Sequence, residues 1–350
     1  MKTTRVLLVD DSATFRSLAR AHLSSEAGFE VVGEASDGLR GVELAVERRP
    51  DVVVMDVEMP RLDGYEATRR IMSHAPTPVV IVSALSDRAV QTSLEALRAG
   101  ALTALSKPPG PDHPDAEAEW RHFVRVVRSM AGVRVVRRHR RRRSLPPEEP
   151  AAEPDRPPHR PAGFRASVVA LAASTGGPAA VREILGALPA DYPVPILLVQ
   201  HIGADFVEGL ARWLDATVPL EVGLARPREP LRGGRVYIAP SDGHLTVVPG
   251  PKVAVTDDAP IGGFRPSATA TYRSVAGAYG AGALGVILTG MGRDGVSGLH
   301  DLRRLGGFVL AQDEASSVVH SMPGHAIREG LADAVLPLDA IPGYLRRSVE

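Results

Sequence analysis

Short apolar runs rich in β-branched residues alternate with amphipathic segments along most of this 350-residue chain, and this rhythm strongly limits the folds available to it. Five such runs occur before residue 130, at 5–9, 30–33, 51–55, 79–82 and 102–105. The segments between them, such as 12–25 and 39–48, carry apolar residues at helical spacing. Because successive βα units build parallel sheets covered by helices, the first part of the chain is predicted to be a doubly wound α/β domain.

The same rhythm resumes after residue 165 and predicts a second α/β domain. Strand candidates lie at 167–172, 195–200, 235–239, 245–248, 283–288 and 308–311. Helix candidates lie at 179–188, 205–215, 268–279 and 295–304. Turn-forming residues at 240–243 separate two of the strand candidates, so we expect a hairpin there. Apolar residues make up 44% of the chain, which is enough for two cores.

A segment of different composition separates the two domains. Arg137 and Arg138 begin a basic run that ends at Arg143, and SLPPEEPAAEPDRPPHRPAG follows it. Because repeated proline blocks both helix and sheet, residues 133–164 are predicted to be an Arg/Pro-rich linker between domains at 1–132 and 165–350. The arginine run could instead bind nucleic acid or an acidic lipid surface. The chain as a whole, with 41 basic and 41 acidic residues, gives that alternative no support.

The absence of cysteine excludes disulfides, thiolate metal sites and a cysteine nucleophile, and it suits a reducing compartment. The apolar run in MKTTRVLLVDDS is too short for a signal peptide, and acidic residues end it. No stretch approaches the roughly 18 uninterrupted apolar residues that a membrane span needs. We therefore expect a cytoplasmic protein without direct membrane insertion.

Acidic and polar residues cluster where strands of the first domain are predicted to end. Asp10 and Asp11 follow the first strand, Asp56 the third, Ser83 the fourth and Lys107 the fifth. The carboxyl ends of parallel strands meet at one sheet edge, and adjacent carboxylates repel one another unless a hard cation such as Mg²⁺ is present. These groups suit phosphoryl transfer onto a carboxylate. Any one strand-end acid could simply cap a helix, but five suitable residues at four strand ends disfavour that alternative.

A second set of chemically active residues lies at predicted strand ends of the second domain. Ser174 occupies a tight turn in SVVALAASTGGP, where Gly176 and Gly177 allow close approach of the backbone and a helix N-terminus favours an oxyanion. His201 ends PILLVQH, and Asp294 lies in the glycine-rich GVILTGMGRDG. Serine needs a base and the base needs an orienting carboxylate, which are the roles open to these residues.

Alternatives to this triad remain open at the level of spacing. The competing histidines and aspartates are His244, His300, His320, His325, Asp301 and Asp313. Ser174 or Thr175 could merely cap the helix. No lysine follows the glycine-rich turn, which disfavours a Walker-type phosphate loop, and the order Ser, His, Asp differs from that of α/β-hydrolases.

The motifs VLLVDDS, MDVEMPRLDG, VSAL and SKP resemble those of response-regulator receiver domains, which have a flavodoxin-like fold with a five-stranded parallel sheet. The resemblance implies Asp56 as phosphoacceptor, with Asp10, Asp11, Asp56 and the Glu58 backbone carbonyl as Mg²⁺ ligands and Ser83 and Lys107 as contacts to the phosphoryl group. Receivers often carry an aromatic residue three positions before the lysine. Here that residue is Ala104, which puts switching through a rotating aromatic ring in doubt.

The motifs AASTGGP, VQHI, PSATATYRSVA, LTGMGRDG and AQDEASSVVHSMPGHAI resemble the doubly wound catalytic domain of chemotaxis protein-glutamate methylesterases, the CheB family. The resemblance implies Ser174 as nucleophile, His201 as general base and Asp294 as its orienting partner. Thr175 and Met291 lie beside them, and the family suggests that the Met291 amide helps to hold the oxyanion. The segments QHIGADF, FRPSAT and SMPGHAI depart from the common family forms, so substrate fit in this chain is open.

The family implies phosphorylation-activated hydrolysis of glutamate γ-methyl esters on methyl-accepting chemoreceptors, with release of methanol and with glutamine deamidation as a side activity. The implied partners are the cytoplasmic helices of chemoreceptors and a chemotaxis-type histidine kinase, with no nucleic acid. Mg²⁺ serves the receiver, and the esterase needs no cofactor. Two other functions remain: a receptor-binding protein with a degenerate esterase domain, and a transcriptional regulator that uses the arginine run. The intact triad disfavours the first, and the lack of a helix-turn-helix pattern disfavours the second.

Overall fold

The computed structural model describes residues 3–84, 87–133 and 164–350. The predicted linker at 133–164, including its arginine run, therefore lies almost entirely outside the described residues. Each of the two described halves is built on a parallel sheet with helices packed against it. No helix in the described ranges is long and apolar enough to cross a membrane.

The N-terminal domain contains five strands and five helices in strict alternation. They are β1 Thr4–Val9, α1 Ala13–Ser25, β2 Phe29–Ala35, α2 Gly38–Arg48, β3 Val52–Asp56, α3 Gly64–His74, β4 Val79–Ser83, α4 Asp87–Ala99, β5 Thr103–Ser106 and α5 Ala116–Ala131. The strands pair in parallel in the order β2-β1-β3-β4-β5. The central strands β3 and β4 are buried throughout, as expected when helices cover both faces of a sheet. The predicted five-stranded flavodoxin-like domain is thus confirmed.

The C-terminal domain is also doubly wound. Its elements are β6 Val168–Ala173, α6 Gly177–Gly186, β7 Ile196–Gln200, α7 Val207–Asp215, β8 Glu221–Leu224, β9 Arg235–Ile238, β10 His244–Val248, β11 Lys252–Thr256, α8 Ala268–Tyr279, β12 Ala283–Ile287, α9 Val296–Arg304, β13 Phe308–Gln312, α10 Met322–Arg328, β14 Ala334–Leu336 and α11 Ile341–Ser348. Seven strands form one parallel sheet in the order β14-β13-β12-β6-β7-β9-β8, and β10 pairs antiparallel with β11. The predicted α/β class of this domain is confirmed.

The expected hairpin around residues 240–243 was wrong. The strand before this turn, β9, pairs with β7 and β8 in the main sheet, whereas the strand after it, β10, pairs with β11. The turn therefore carries the chain from one sheet to the other. The hairpin is formed one strand later, between β10 and β11. It was not predicted because β11, which is short and follows Pro251, has too weak a sequence pattern.

The edge strand β5 and the helix before it contact the C-terminal domain. Helix α4 packs against α6 and α7. The carbonyl of Leu102, just before β5, accepts a hydrogen bond from the amide of Gly176 at 3.0 Å. At the other end of β5, the hydroxyl of Ser106 donates to Asp205 Oδ2 at 3.1 Å. The strand thus lies between two loops of the C-terminal domain, one after β6 and one after β7.

Candidate functional site

The topology of the C-terminal sheet brings three loops to one crevice. Strand β6 lies between β7 and β12, and the chain leaves β6 toward one side of the sheet and returns at β12 to the other. A crevice forms at the carboxyl ends of strands where the winding direction reverses in this way. Ser174 directly follows β6, His201 directly follows β7, and Asp294 lies in the loop between β12 and α9. The backbone amide of His201 donates to the carbonyl of Ala173 at 2.9 Å, so Ser174 and His201 stand at neighbouring strand ends.

His201 and Asp294 form a buried pair. The Nε2 atom of His201 lies 2.9 Å from Asp294 Oδ2, which is ion-pair distance. The other ring nitrogen, Nδ1, is buried without a hydrogen-bond partner among the described residues. Phe264 stacks on the imidazole, with ring centroids 4.5 Å apart and planes inclined by 16°. The ring is held on its face by Phe264 and on one edge by Asp294, which leaves Nδ1 to accept a proton.

The side chain of Asp294 lies at the N-terminus of α8 and accepts several hydrogen bonds. The Ser267 hydroxyl donates to Oδ1 at 2.6 Å and the Ala268 amide donates to Oδ2 at 2.6 Å. The Thr269 hydroxyl and the Gly295 amide donate to Oδ1 at 3.0 and 2.8 Å. Burial by itself would raise the pKa of Asp294, but these donors and His201 together lower it below its ordinary value. Asp294 is therefore a carboxylate at neutral pH.

The loop that carries Ser174 is held by close backbone contacts. The amide of Ser174 donates to the carbonyl of Thr289 at 3.0 Å, and the side-chain amide of Gln200 donates to the carbonyl of Ser174 at 2.7 Å. A Cβ atom on Gly290 would meet Ser174 Cβ at 2.7 Å, so only glycine lets this loop approach the serine. Met291 follows directly, and its backbone is thereby brought next to the serine turn.

Gly176 shapes the same turn from the other side. It adopts a left-handed conformation (φ 76°) at the N-cap of α6, and a Cβ there would collide with Val318. Thr175 is buried, and its carbonyl accepts a hydrogen bond from the Thr289 hydroxyl at 2.9 Å. The turn therefore presents Ser174 next to the first amides of a helix, where the helix dipole favours negative charge.

The competing histidines and aspartates have other partners. His244 is buried, and its Nδ1 accepts from the Ser267 amide at 3.1 Å while Nε2 lies 3.2 Å from the Ala259 carbonyl. His300 pairs with Glu329, Asp301 pairs with Arg273 and Arg304, and Asp313 binds Ser316. The nearest polar side chain recorded for His320 is the Ser317 hydroxyl, at 3.5 Å. His320 pairs through its backbone with Gly290 beside the serine turn. Ser174 and the His201–Asp294 pair remain the candidate triad, because Ser174 and His201 stand at the carboxyl ends of neighbouring strands.

A second site lies at the carboxyl ends of β1 and β3 in the N-terminal domain, where its winding direction also reverses. Carboxylate oxygens of Asp10, Asp11 and Asp56 lie within 4.8 Å of one another. Lys107 Nζ lies 2.8 Å from both Asp10 Oδ2 and Asp56 Oδ2. Burial and the charge of Asp56 raise the pKa of Asp10 to about 6, and burial also raises the pKa of Asp56. The lysine does not offset all of this negative charge, so a hard divalent cation such as Mg²⁺ fits the donor set.

Two further expected residues lie near this acidic cluster. Ser83 is buried at the end of β4, which pairs with β3, and its carbonyl accepts the Lys107 amide at 2.9 Å. Its hydroxyl donates to the Ala84 carbonyl at 2.9 Å. Glu58 follows β3 by two residues and is exposed. The predicted phosphoryl contacts and carbonyl ligand thus remain predictions, but Ser83 and Lys107 lie at adjacent strand ends.

Sequence reasoning missed four residues that build the crevice. Phe264, Ser267 and Thr269 contact His201 or Asp294, and Gln200 supports the serine turn. Three of them lie in the FRPSAT segment, which the sequence pattern links to substrate fit in the cleft and not to His201 or Asp294. Their roles depend on contacts between segments that are 25 or more residues apart in the sequence, so no local pattern could reveal them.

Comparisons with known proteins agree for both domains. A family model described as CheB methylesterase matches residues 169–345, and one described as Response regulator receiver domain matches residues 6–116. Protein-glutamate methylesterase/protein-glutamine glutaminase 4 of Myxococcus xanthus is 52% identical over 341 residues, which cover 97% of this chain and 96% of that protein. A relative of the same description, numbered 3, from Anaeromyxobacter dehalogenans is 52% identical over 342 residues, covering 97% and 98%.

A solved structure resembles the C-terminal domain. It is the Thermotoga maritima CheB methylesterase catalytic domain, which is 38% identical with a TM-score of 0.51. The match covers 52% of this chain and 98% of that chain. The similarity therefore spans the whole solved domain and includes both the sequence motifs and the sheet that carries the crevice.

Proposed function

The chain belongs to the CheB methylesterase family and carries an N-terminal response regulator receiver domain, and from this premise we propose that it is a phosphorylation-controlled, serine-dependent protein-glutamate methylesterase. Its substrates are glutamate γ-methyl esters on the cytoplasmic helices of methyl-accepting chemoreceptors, and methanol is released. Deamidation of receptor glutamines uses the same acyl chemistry. The convergence of Ser174 with the buried His201–Asp294 pair at one crevice carries the proposal.

In this mechanism Ser174 attacks the ester carbonyl while His201 removes the hydroxyl proton. Because Asp294 holds Nε2, the Nδ1 atom of His201 acts as the base. The same nitrogen returns the proton to the departing methanol and then activates the water that hydrolyses the acyl-enzyme. Asp294 stays ionised throughout and stabilises the imidazolium formed at each step. No cofactor is needed.

The oxyanion of each tetrahedral intermediate is bound by backbone amides near Ser174. The Met291 amide is one donor, because Gly290 brings this loop against the serine. Thr175 lies at the other side of the pocket, at the start of the turn that leads into α6. Each well-aimed donor contributes about 3–4 kcal/mol to the transition state.

The receiver controls access to this crevice through Asp56. A chemotaxis-type histidine kinase supplies the phosphoryl group, and Ser83 and Lys107 contact it. Asp10, Asp11, Asp56 and the Glu58 carbonyl would hold Mg²⁺, which would supply positive charge to the phosphoryl oxygens. In the unphosphorylated state β5 lies over the loops that carry Ser174 and His201, and phosphorylation shifts the population toward an uncovered crevice.

The remaining features of the proposal concern organisation. The receiver spans 1–132, the linker 133–164 and the methylesterase domain 165–350. The protein acts in the cytoplasm, neither binds nucleic acid nor inserts directly into the membrane, and meets the membrane only through the receptors that it modifies. A receptor-binding role without catalysis is disfavoured by the pairing of His201 with Asp294 at the strand end next to Ser174.

The experiment that tests the activity measures methanol release from methylated receptor membranes by the wild type and by Ser174→Ala. We expect release to fall by roughly 10³-fold or more, because the nucleophile is lost while the fold is kept. Ser297→Ala, an exposed serine on α9, is the matched control and should retain wild-type activity. Equal release by Ser174→Ala and the wild type would contradict a serine mechanism.

A further inference from the structure

We propose that Ser267 and Thr269, at the N-terminus of α8, are positioning residues that keep Asp294 ionised and direct its Oδ2 atom to His201. This inference rests on the proposed function, since it assigns how the third member of the triad is prepared for its role. It is carried by the hydrogen-bond pattern around the Asp294 carboxylate, in which two buried side-chain hydroxyls converge on one oxygen atom.

The hydroxyl oxygens of Ser267 and Thr269 each accept a hydrogen bond from a backbone amide, and this bond orients the hydroxyl. Ser267 Oγ accepts the Thr269 amide at 3.1 Å, and Thr269 Oγ1 accepts the Gly295 amide at 3.0 Å. A hydroxyl has a single proton and two lone pairs. An amide that donates to one lone pair restricts the direction in which the proton can point toward another acceptor. In both residues the acceptor is Asp294 Oδ1. The two hydroxyls are therefore fixed donors rather than free rotors.

The two carboxylate oxygens consequently have different surroundings. Oδ1 receives the hydroxyls of Ser267 and Thr269 and the amide of Gly295. Oδ2 receives one amide, from Ala268, and faces His201 Nε2 at 2.9 Å. Rotation of the carboxylate would break this arrangement, so the pattern fixes which oxygen meets the histidine. A proton on Oδ1 would point at groups that themselves donate hydrogen bonds, so this arrangement favours the ionised carboxylate.

The titratable groups that face Asp294 are few. His201 lies against Oδ2, and Tyr272 of α8 is buried nearby with its hydroxyl donating to the Val286 carbonyl at 2.6 Å. His244 acts one step further away, because its Nδ1 accepts the Ser267 amide and so fixes the backbone that carries the first hydroxyl. Against the cost of burial, the donors from α8 and the contact with His201 keep the pKa of Asp294 low.

Thr269→Val is the decisive variant, because valine keeps the shape of threonine and removes one donor. Loss of a hydrogen bond to the carboxylate raises the pKa of Asp294. When the pH is lowered, Asp294 is therefore protonated at a higher pH than in the wild type, and the form with the ionised carboxylate is lost earlier. We expect kcat to drop roughly tenfold with KM unchanged, and the titration of Asp294 itself to move upward by about one pH unit. Thr269→Ser should restore both quantities.

Thr271→Val is the matched control. Thr271 lies on the same helix, is equally buried, and donates to the Leu245 carbonyl instead of to Asp294. It should lower the melting temperature about as much as Thr269→Val and leave the pH profile unchanged. Ser267→Ala should act like Thr269→Val, with an added loss of stability because Ser267 also caps α8.

An NMR measurement that needs no substrate tests the positioning role independently of the proposed methylesterase activity. The ¹⁵N chemical shifts of the His201 ring nitrogens, followed across pH by NMR in histidine-labelled full-length protein, report the charge on Asp294. In Thr269→Val the transition assigned to Asp294 should move to higher pH, and in Thr271→Val it should not. Unchanged shifts in Thr269→Val, or the same displacement in both variants, would overturn the inference. Absence of methanol release by the wild type, with the shifts behaving as expected, would overturn the methylesterase function alone.

Discussion

Phe264 packs on the face of the His201 imidazole, the proposed base, and this contact explains why an aromatic residue stands at this place in the chain. Its ring lies nearly parallel to His201 with centroids 4.5 Å apart. Stacked ring pairs contribute about 0.5–1.5 kcal/mol beyond the area that they bury. Together with Asp294 on the edge of the ring, this contact restricts the histidine to the orientation in which Nε2 faces Asp294 and Nδ1 has no hydrogen-bond partner among the described residues.

Phe264→Leu should therefore lower kcat for methanol release roughly three- to tenfold, because leucine fills the volume without providing a flat face. Phe264→Tyr should stay close to the wild type. Arg265→Ala changes an exposed neighbour in the same loop, whose side chain binds only the Asp257 carbonyl among the recorded contacts, and serves as the control. A leucine variant as fast as the wild type would show that the stacking does not matter for catalysis.

At the scale of elements, strands with continuous apolar runs could be predicted from the sequence, and short or interrupted ones could not. Strands β1, β3, β4, β6 and β7 are buried along nearly their whole length, so their patterns stand out. The strands β8 and β14 are only four and three residues long and carry little pattern of their own. They are strands because the neighbouring strand offers a free edge.

Helices, like strands, could be predicted where their sequence pattern is regular and not where it is interrupted. The bounds of α8 were predicted correctly because Ser267 caps a regular amphipathic segment. Helix α10 was not predicted, since Pro323 and Gly324 in MPGHAIR disfavour a helix, although proline is tolerated in the first turn where it stands. Within the site, residues at strand ends were predictable, whereas Phe264 and Thr269 act through contacts that only the fold creates.

The edge strand β5 is the element that joins regulation to catalysis. Ser106, at its end, donates to Asp205 in the loop after His201, and the next residue is Lys107 of the acidic cluster. Ala104 in this strand is buried and too small to act as a rotating aromatic switch. A change at Asp56 can therefore reach the loop after His201 through Lys107 and Ser106 without any aromatic ring.

Asp205→Ala should raise the methanol release of the unphosphorylated protein about fivefold, because one exposed hydrogen bond that favours the covered state is lost. Activity in the presence of a phosphodonor should not change. Asp191→Ala, an exposed aspartate away from the recorded interdomain contacts, is the matched control. A reduction in the phosphorylated rate would instead assign Asp205 to the catalytic loop itself.

At the scale of the whole molecule, two domains of the same class place their chemistry at equivalent positions. In each, the site lies at the carboxyl ends of parallel strands where the winding direction reverses. The first site gathers the carboxylates of Asp10, Asp11 and Asp56, and the second gathers Ser174 with the His201–Asp294 pair. Hydrogen bonds at both ends of β5 connect the first domain to the loops that follow β6 and β7 in the second.

Methanol release from methylated receptor membranes, with and without a small-molecule phosphodonor, tests the central claim most directly. It should be measured for the wild type, Ser174→Ala, Asp56→Asn and a chain that lacks residues 1–140. We predict release that requires Ser174, rises with phosphodonor in the wild type, stays low in Asp56→Asn, and is high without phosphodonor in the shortened chain. Equal release by the wild type and Asp56→Asn under phosphodonor, or a shortened chain no faster than the unphosphorylated wild type, would contradict control by an occluding receiver.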